Sequence, residues 1–247
     1  MKVTFLGTNG WYDTGTGNTV SVAVETASAL LVLDAGFGIA KLDEAVARDK
    51  PVYIFLSHLH LDHIVGLHVA SAFTFPRGLY LCGQEGLASI LGGFLDAPFT
   101  TPLKDFNSPV TFVELPRDRE VLPFRVTSLP LVHSVPTLGY RFEIDGKVLA
   151  YIGDTGYCAA AVELAKGADL LITECAYKSG QENDDWPHLN PESAARIARE
   201  GGAKRLALVH FEAKAYGTLE EREEAGVLAR KVFSETVATW DGLEIDI

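Results

Sequence analysis

Ser57-His58-Leu59-His60-Leu61-Asp62-His63 packs three imidazoles and a carboxylate into six residues, His58 to His63. In an extended stretch, side chains two apart point the same way, so His58 and His60 suit one cation. Asp62 and His63, at the start of a following helix, can turn toward a second. His133, Asp154 and His210 each follow a strand-like apolar run. Open α/β sheets gather ligands at the carboxyl ends of their strands, so all of these groups can meet at one sheet edge. Imidazoles with a few carboxylates are a borderline donor set that suits Zn²⁺, and also Mn²⁺ or Fe²⁺. A lone histidine is usually a satisfied core or surface residue. Three histidines and an aspartate in one short run, with three further candidates at strand ends, point to metal instead.

Elements that would position these groups are legible around them. Lys2–Leu6, Thr19–Glu25 and Ala29–Leu33 read as early strands, and Val52–Leu56 as a strand covered on both faces. Gly38–Asp49 reads as a helix with Ile39, Leu42, Ala45 and Val46 on one face, stopped by Lys50-Pro51. Val110–Leu115, Phe124–Leu129, Leu138–Ile144, Lys147–Ile152, Asp169–Thr173 and Arg205–Val209 are further strands. Asp145-Gly146 is a hairpin signal, and Asp241-Gly242 is read as the turn of a last hairpin. Asn190 and Pro191 start a helix that Gly201 would stop, and Thr218 with Glu221 starts another running to about Ser234. Gly92–Ser108 has little periodicity but carries Phe94, Phe99 and Phe106, as either a lid or an ordinary packed loop.

Composition bounds the function. The chain has 247 residues, 47% hydrophobic and 22% charged, which predicts a folded α/β domain spanning residues 1–247. No apolar run reaches the length of a membrane span. The start of the chain lacks the pattern of a secretory signal, so a cytoplasmic protein is expected. Cys82, Cys158 and Cys175, odd in number and set in apolar stretches, fit reduced buried thiols. A net charge of −12 argues against a broad duplex-binding surface, though a local cationic site could still take a nucleic-acid substrate.

The His-x-His-x-Asp-His motif followed in order by His133, Asp154 and His210 resembles the metallo-β-lactamase superfamily, over nearly the whole chain. Phe5-Leu6-Gly7-Thr8, Gly17-Asn18-Thr19, Asp62-His63-Ile64-Val65-Gly66-Leu67, Leu138-Gly139-Tyr140 and Gly153-Asp154-Thr155 are similar to its ribonuclease Z and phosphodiesterase branch. The resemblance implies a four-layer αββα sandwich of class α/β. It implies two divalent ions, best suited to Zn, with Mn or Fe as alternatives. His58, His60 and His133 would hold one and Asp62, His63 and His210 the other, with Asp154 between them. Asp34 resembles the aspartate that supports a ligand histidine. Glu174 and His188 look like a pair in which the glutamate orients the histidine toward substrate phosphate. The bland alternative is a surface histidine and a satisfied strand-end acid. Asp62 would also accept a hydrogen bond from the nucleophilic water. His68 reads as structural, while Trp11, Trp186 and Tyr157 are pocket-lining or packing aromatics.

The expected activity is metal-dependent hydrolysis of small or cyclic phosphodiesters or short single-stranded oligonucleotides. Asp154 matches phosphodiesterases and glyoxalase-type thioesterases. Ribonuclease Z enzymes carry a long tRNA-gripping arm between the motifs matching His133 and Asp154, where this chain has room only for the Leu138–Ile152 hairpin. The tRNA 3′ processing endonuclease is therefore the second reading, followed by a glyoxalase-type thioester hydrolase and then a non-catalytic metal-binding module. Relatives of this kind are often homodimers; the sequence itself marks no interface.

Overall fold

Continuous apolar runs become strands buried on both faces. The computed structural model describes residues 1–42 and 49–247. Among them the strands, in chain order, are β1 (Lys2–Gly7), β2 (Asn9–Gly10), β3 (Ser21–Glu25), β4 (Leu30–Leu33), β5 (Val52–Phe55), β6 (Leu79–Gly83), β7 (Val110–Glu114) and β8 (Arg125–Pro130). There follow β9 (Leu138–Ile144), β10 (Lys147–Ile152), β11 (Leu170–Glu174), β12 (Leu206–Val209), β13 (Phe211–Glu212), β14 (Thr236–Ala238) and β15 (Glu244–Asp246). One sheet has the order β15-β1-β3-β4-β5-β6-β7 and the other β14-β12-β11-β10-β9-β8. Successive residues alternate between the inter-sheet core and the outer layers. Leu31, Leu33, Tyr53 and Phe55 face Tyr140, Phe142, Leu170 and Ile172 of the opposite sheet. Leu30, Val32, Val52 and Ile54 instead pack outward under Ile39, Leu67 and Leu91. On the second sheet, Ala150, Ile152, Leu171 and Leu208 pack outward against helical residues such as Leu164, Ala194 and Ala225. The result is the expected αββα layering.

Each sheet has a parallel half, β4-β5-β6-β7 in one and β10-β11-β12-β14 in the other. Asp34, Ser57-His58, Asp154 and His210 lie just beyond the carboxyl ends of β4, β5, β10 and β12, and Glu174 ends β11. A third ladder, β13 with β2, joins the two sheets at this edge, pairing Phe211 with Asn9.

Several expectations change. β6 and the helix Leu87–Phe94 were not read from the sequence, nor was the helix Ala159–Ala165. Of the predicted helix Gly38–Asp49, the described part is a 3₁₀ turn, Phe37–Lys41, and residues 43–48 lie outside the described residues. The Pro191–Gly201 helix has its Asn190 cap, but Gly202 at φ 63 is the left-handed residue that ends it. The Thr218–Glu221 capping box is formed, and that helix stops at Arg230. Asp145-Gly146 is a two-residue hairpin turn, with Ile144 opposite Lys147. Asp241-Gly242 is not. β14 pairs with β12 and β15 with β1, so this turn carries the chain from one sheet to the other. None of Gly92–Ser108 lines the cleft that opens at the carboxyl ends of the strands; Phe94 and Leu95 pack outside the first sheet.

Asp241 instead clasps the crossing. Its carboxylate accepts bonds from Thr8 Oγ1 (2.6 Å), Asn18 N (2.8 Å) and Lys41 Nζ (2.6 Å). Asp241→Ala leaves these donors without their acceptor and should cost about 2–3 kcal/mol. A clear fall in the urea midpoint at unchanged m-value is expected; an unmoved midpoint would refute the clasp.

Candidate metal centre

The strand ends deliver seven groups to one point. Asp154 is fully buried and faces both ways. Its Oδ2 lies 3.7 Å from His58 Nε2 and 3.8 Å from His133 Nε2, and its Oδ1 lies 3.4 Å from His63 Nε2 and 3.3 Å from His210 Nε2. His58 Nε2 stands 2.9 Å from His60 Nδ1. His63 Nε2 stands 3.0 Å from His210 Nε2, which is 3.2 Å from Asp62 Oδ2. Donors held about 2.0–2.1 Å from a tetrahedral ion stand about 3.3 Å from one another. The observed spacings are those of such shells. His58, His60, His133 and Asp154 form one set, and Asp62, His63 and His210 a second. His133 Nε2, in the first set, and Asp154 Oδ1, facing the second, are buried with no hydrogen-bond partner, a costly state that a cation in each set would relieve. The residues fit a dinuclear centre.

Outer partners fix which ring nitrogen faces inward. His133 Nδ1 donates to Pro187 O (3.1 Å). His63 Nδ1 donates to Asp34 Oδ2 (2.7 Å). Asp34 also accepts from Ser57 N, Ser57 Oγ and, across the sandwich, the Tyr151 hydroxyl at 2.6 Å. The supporting role expected of Asp34 is thus present, with Ser57 and Tyr151 as partners that the sequence did not reveal.

Electrostatics divides the two sets. Burial pushes His58, His60 and His133 below the usual imidazole range, keeping them neutral and able to ligate. Burial acts the same way on His63, but Asp154, Asp62 and Asp34 outweigh it and hold its pKa well above the usual range. Burial would raise Asp154, yet His210, His63 and His58 drive it well below the usual carboxylate range. The carboxylates that hold a proton on His63 are those that would neutralise a bound cation.

Asp62 is aimed by a backbone group. Trp11 N donates to its Oδ2 at 2.7 Å, from a backbone at φ 73. His210 sits at φ 55, where the chain leaves β12 to form β13. Its ring lies flat on Gly10, and a Cβ there would meet His210 Cε1 at 2.5 Å. Behind β2, buried Arg222 donates to Thr8 Oγ1 (2.7 Å) and to Asn9 Oδ1.

His188 Nδ1 donates to Glu174 Oε1 at 2.8 Å. Glu174 is fixed in turn by Thr155 N (2.9 Å) and Ala176 N (3.0 Å). Burial opposes a charge on His188, but Glu174 and then Asp154 lift its pKa to about 9. Asp154, His188 and His210 are also close enough to form a third grouping. The His188 nitrogen 4.0 Å from Asp154 is the one already bonded to Glu174, so it serves that grouping poorly.

A cleft of about 820 Å³ opens over the centre, and Trp11, Trp186, His188, Gln181 and Lys214 are among its walls. Tyr157 is not; its hydroxyl bonds Glu200 and its ring lies under Arg196. His68 stacks on Phe37 away from the cleft.

Residues 30–211 match the family model described as Beta-lactamase superfamily domain. The chain is 29% identical to a probable metallo-hydrolase YhfI of Bacillus subtilis, over 85% of this chain and 87% of that protein. The crystal structure of YhfI superposes with a TM-score of 0.79, at 25% identity over 99% of both chains. A ribonuclease Z of Bacillus licheniformis is 28% identical over 100% of this chain and 99% of its own length, an alignment spanning 315 positions. The short form of human tRNase Z shares the fold, with a TM-score of 0.77 at 23% identity over 100% of this chain and 99% of that one.

Gly10→Ala should displace the His210 ring and weaken metal at the second set by about ten- to a hundredfold. Chelator competition should find that loss with the first set still loaded; wild-type affinity at both would disprove the packing role of Gly10.

Proposed function

The chain belongs to the beta-lactamase superfamily domain family and is a metal-dependent hydrolase, and from that premise we propose that it holds two divalent ions and cleaves small phosphodiesters. The observation carrying this reading is Asp154, whose two oxygens each face a separate imidazole set. His58, His60 and His133 would hold one ion, Asp62, His63 and His210 the other, and Asp154 both. Nitrogen and carboxylate donors in this mixture suit zinc. Such a pair, when bound, lowers the pKa of water and stabilises negative charge on a phosphoryl oxygen.

The chain's own residues supply the rest. Asp62, its Oδ2 held by Trp11 N, orients the attacking water by accepting its hydrogen bond. His188 keeps Nδ1 on Glu174, which leaves Nε2 to donate a proton to the departing alkoxide. Lys214 is exposed and, among the described residues, is the one lysine or arginine lining the cleft. One cation suits a small substrate of low charge better than a polynucleotide backbone, whose binding grows with each phosphate neutralised.

Cleavage of precursor tRNA is the second reading, favoured by relatives that carry the name ribonuclease Z. Against it, only the β9–β10 hairpin separates the His133 loop from Asp154, so no tRNA-gripping arm stands there. The 315-position alignment against 247 residues also leaves the relative with segments this chain lacks.

Reconstituted protein should bind close to two equivalents of zinc and turn over bis-p-nitrophenyl phosphate and cyclic nucleotides in preference to precursor tRNA or thioesters. Efficient cleavage of precursor tRNA after the discriminator base would promote the second reading, and metal at or below one equivalent would contradict the dinuclear one. His188→Ala should slow alkyl and nucleotide esters a further ten- to a thousandfold relative to p-nitrophenyl esters, whose leaving group needs no proton. An equal fall on both substrates would remove His188 as the acid.

A further inference from the structure

Three large apolar side chains line the cleft beside the centre yet are left in solvent: Trp11 is 67% exposed, Leu61 64% and Trp186 48%. Their exposure forgoes much of the stabilisation that burying such side chains gives, so core packing alone does not explain them. Their backbones, in contrast, are held. Trp11 N is bonded to Asp62, and the residue keeps a left-handed φ of 73, rare for so bulky a side chain. Trp186 N accepts no freedom either: it donates to Asn183 Oδ1 at 3.2 Å, while the Trp186 carbonyl accepts from the Tyr177 hydroxyl. Fixed backbones carrying exposed rings describe a surface organised in advance for a ligand.

Placement relative to the centre narrows the ligand. The Trp186 ring lies flat on His60, centroids 5.5 Å apart and planes 8° apart, beside the first imidazole set. Trp11 stands at Asp62, beside the second. Leu61, the residue between His60 and Asp62 in sequence, lines the same cleft. The strip flanks both halves of the centre, so a planar group stacked on it stays attached to a phosphoryl group at the metals.

We propose that Trp11, Leu61 and Trp186 form a platform on which the base of a nucleoside phosphodiester stacks, and that these three residues select the substrate. The inference rests on the phosphodiesterase reading above and names the substrate class for that same cleft. Each base–aromatic contact is sequence-tolerant, since every base has a π face, so the platform distinguishes nucleoside from alkyl esters rather than one base from another.

The test compares thymidine 5′-(p-nitrophenyl phosphate) with methyl p-nitrophenyl phosphate, which share a leaving group and a charge and differ in the base and sugar. Zinc-loaded protein should favour the thymidine ester by about ten- to a hundredfold in kcat/KM, mainly through KM. Trp11→Ala and Trp186→Ala should each remove much of that preference, and Trp11→Phe and Trp186→Phe should restore part of it. A second readout needs no turnover. In Trp240→Phe protein only Trp11 and Trp186 fluoresce, and thymidine 5′-monophosphate should quench them while ethyl phosphate does not. Hydrolysis of both esters without preference, together with no quenching, overturns the platform and leaves the phosphodiesterase reading standing. Quenching without hydrolysis of either ester supports the platform and sinks that reading instead. An equal loss on both esters in the alanine variants also overturns the platform, because the rings would then serve the common part of the substrate.

Discussion

A carboxylate taken out of water must be met by charge or hydrogen bonds, and Asp154 is taken out of water entirely. The architecture around it answers that requirement. Four imidazoles from three places in the chain converge on its two oxygens. Asp34, equally buried, holds one of them while accepting from Ser57 and from Tyr151 of the opposite sheet. The two sheets are therefore joined through acids as well as through their apolar core. His58 and His133, held neutral by burial, are free to act as ligands, while the carboxylates around them supply the negative charge that a cation would need.

Backbone strain follows the same map. Among the described residues, four other than glycine have a positive φ: Trp11, Asp34, Asp145 and His210. Asp145 is explained by its hairpin turn. The other three hold or form the centre, where tight bends at strand ends turn a side chain or an N–H inward. Conformations of this kind cost roughly 1–3 kcal/mol each and persist only when surrounding structure fixes them. The β2–β13 ladder and buried Arg222 behind it supply that fixing for Gly10, Trp11 and His210.

Sequence made the ligand-type residues readable because their signal is local: a dense run of histidines, and acids or imidazoles standing directly after apolar strands. Asp34, Glu174 and His188 were readable through the resemblance. What escaped has no local signature. The Trp11 N–H that aims Asp62 is a backbone donor, and the Pro187 carbonyl that fixes His133 is a backbone acceptor. Strands of two residues, such as β2 and β13, present no periodicity at all. The helix Leu87–Phe94 is obscured by Gly92 and Gly93, which lower helix propensity in its last turn. Asp241-Gly242 has the chemistry of a hairpin turn, but turn chemistry does not say which sheet each flanking strand joins. That is decided by β12 and β1, far away in the chain.

The β2–β13 ladder also bears on how the molecule comes into being. It brings residue 9 against residue 211, and Asp62 meets His210 across a sequence separation of 148. Closing so long a loop carries a large entropic cost before any contact repays it, and chains dominated by such contacts fold slowly. In order of synthesis, His58, His60, His133 and Asp154 all precede His210. One half of the centre thus has all its groups while the other still waits for the last third of the second sheet. Chain order therefore fixes which groups exist first, and the second set is complete only once the segment carrying β12 and His210 has been made.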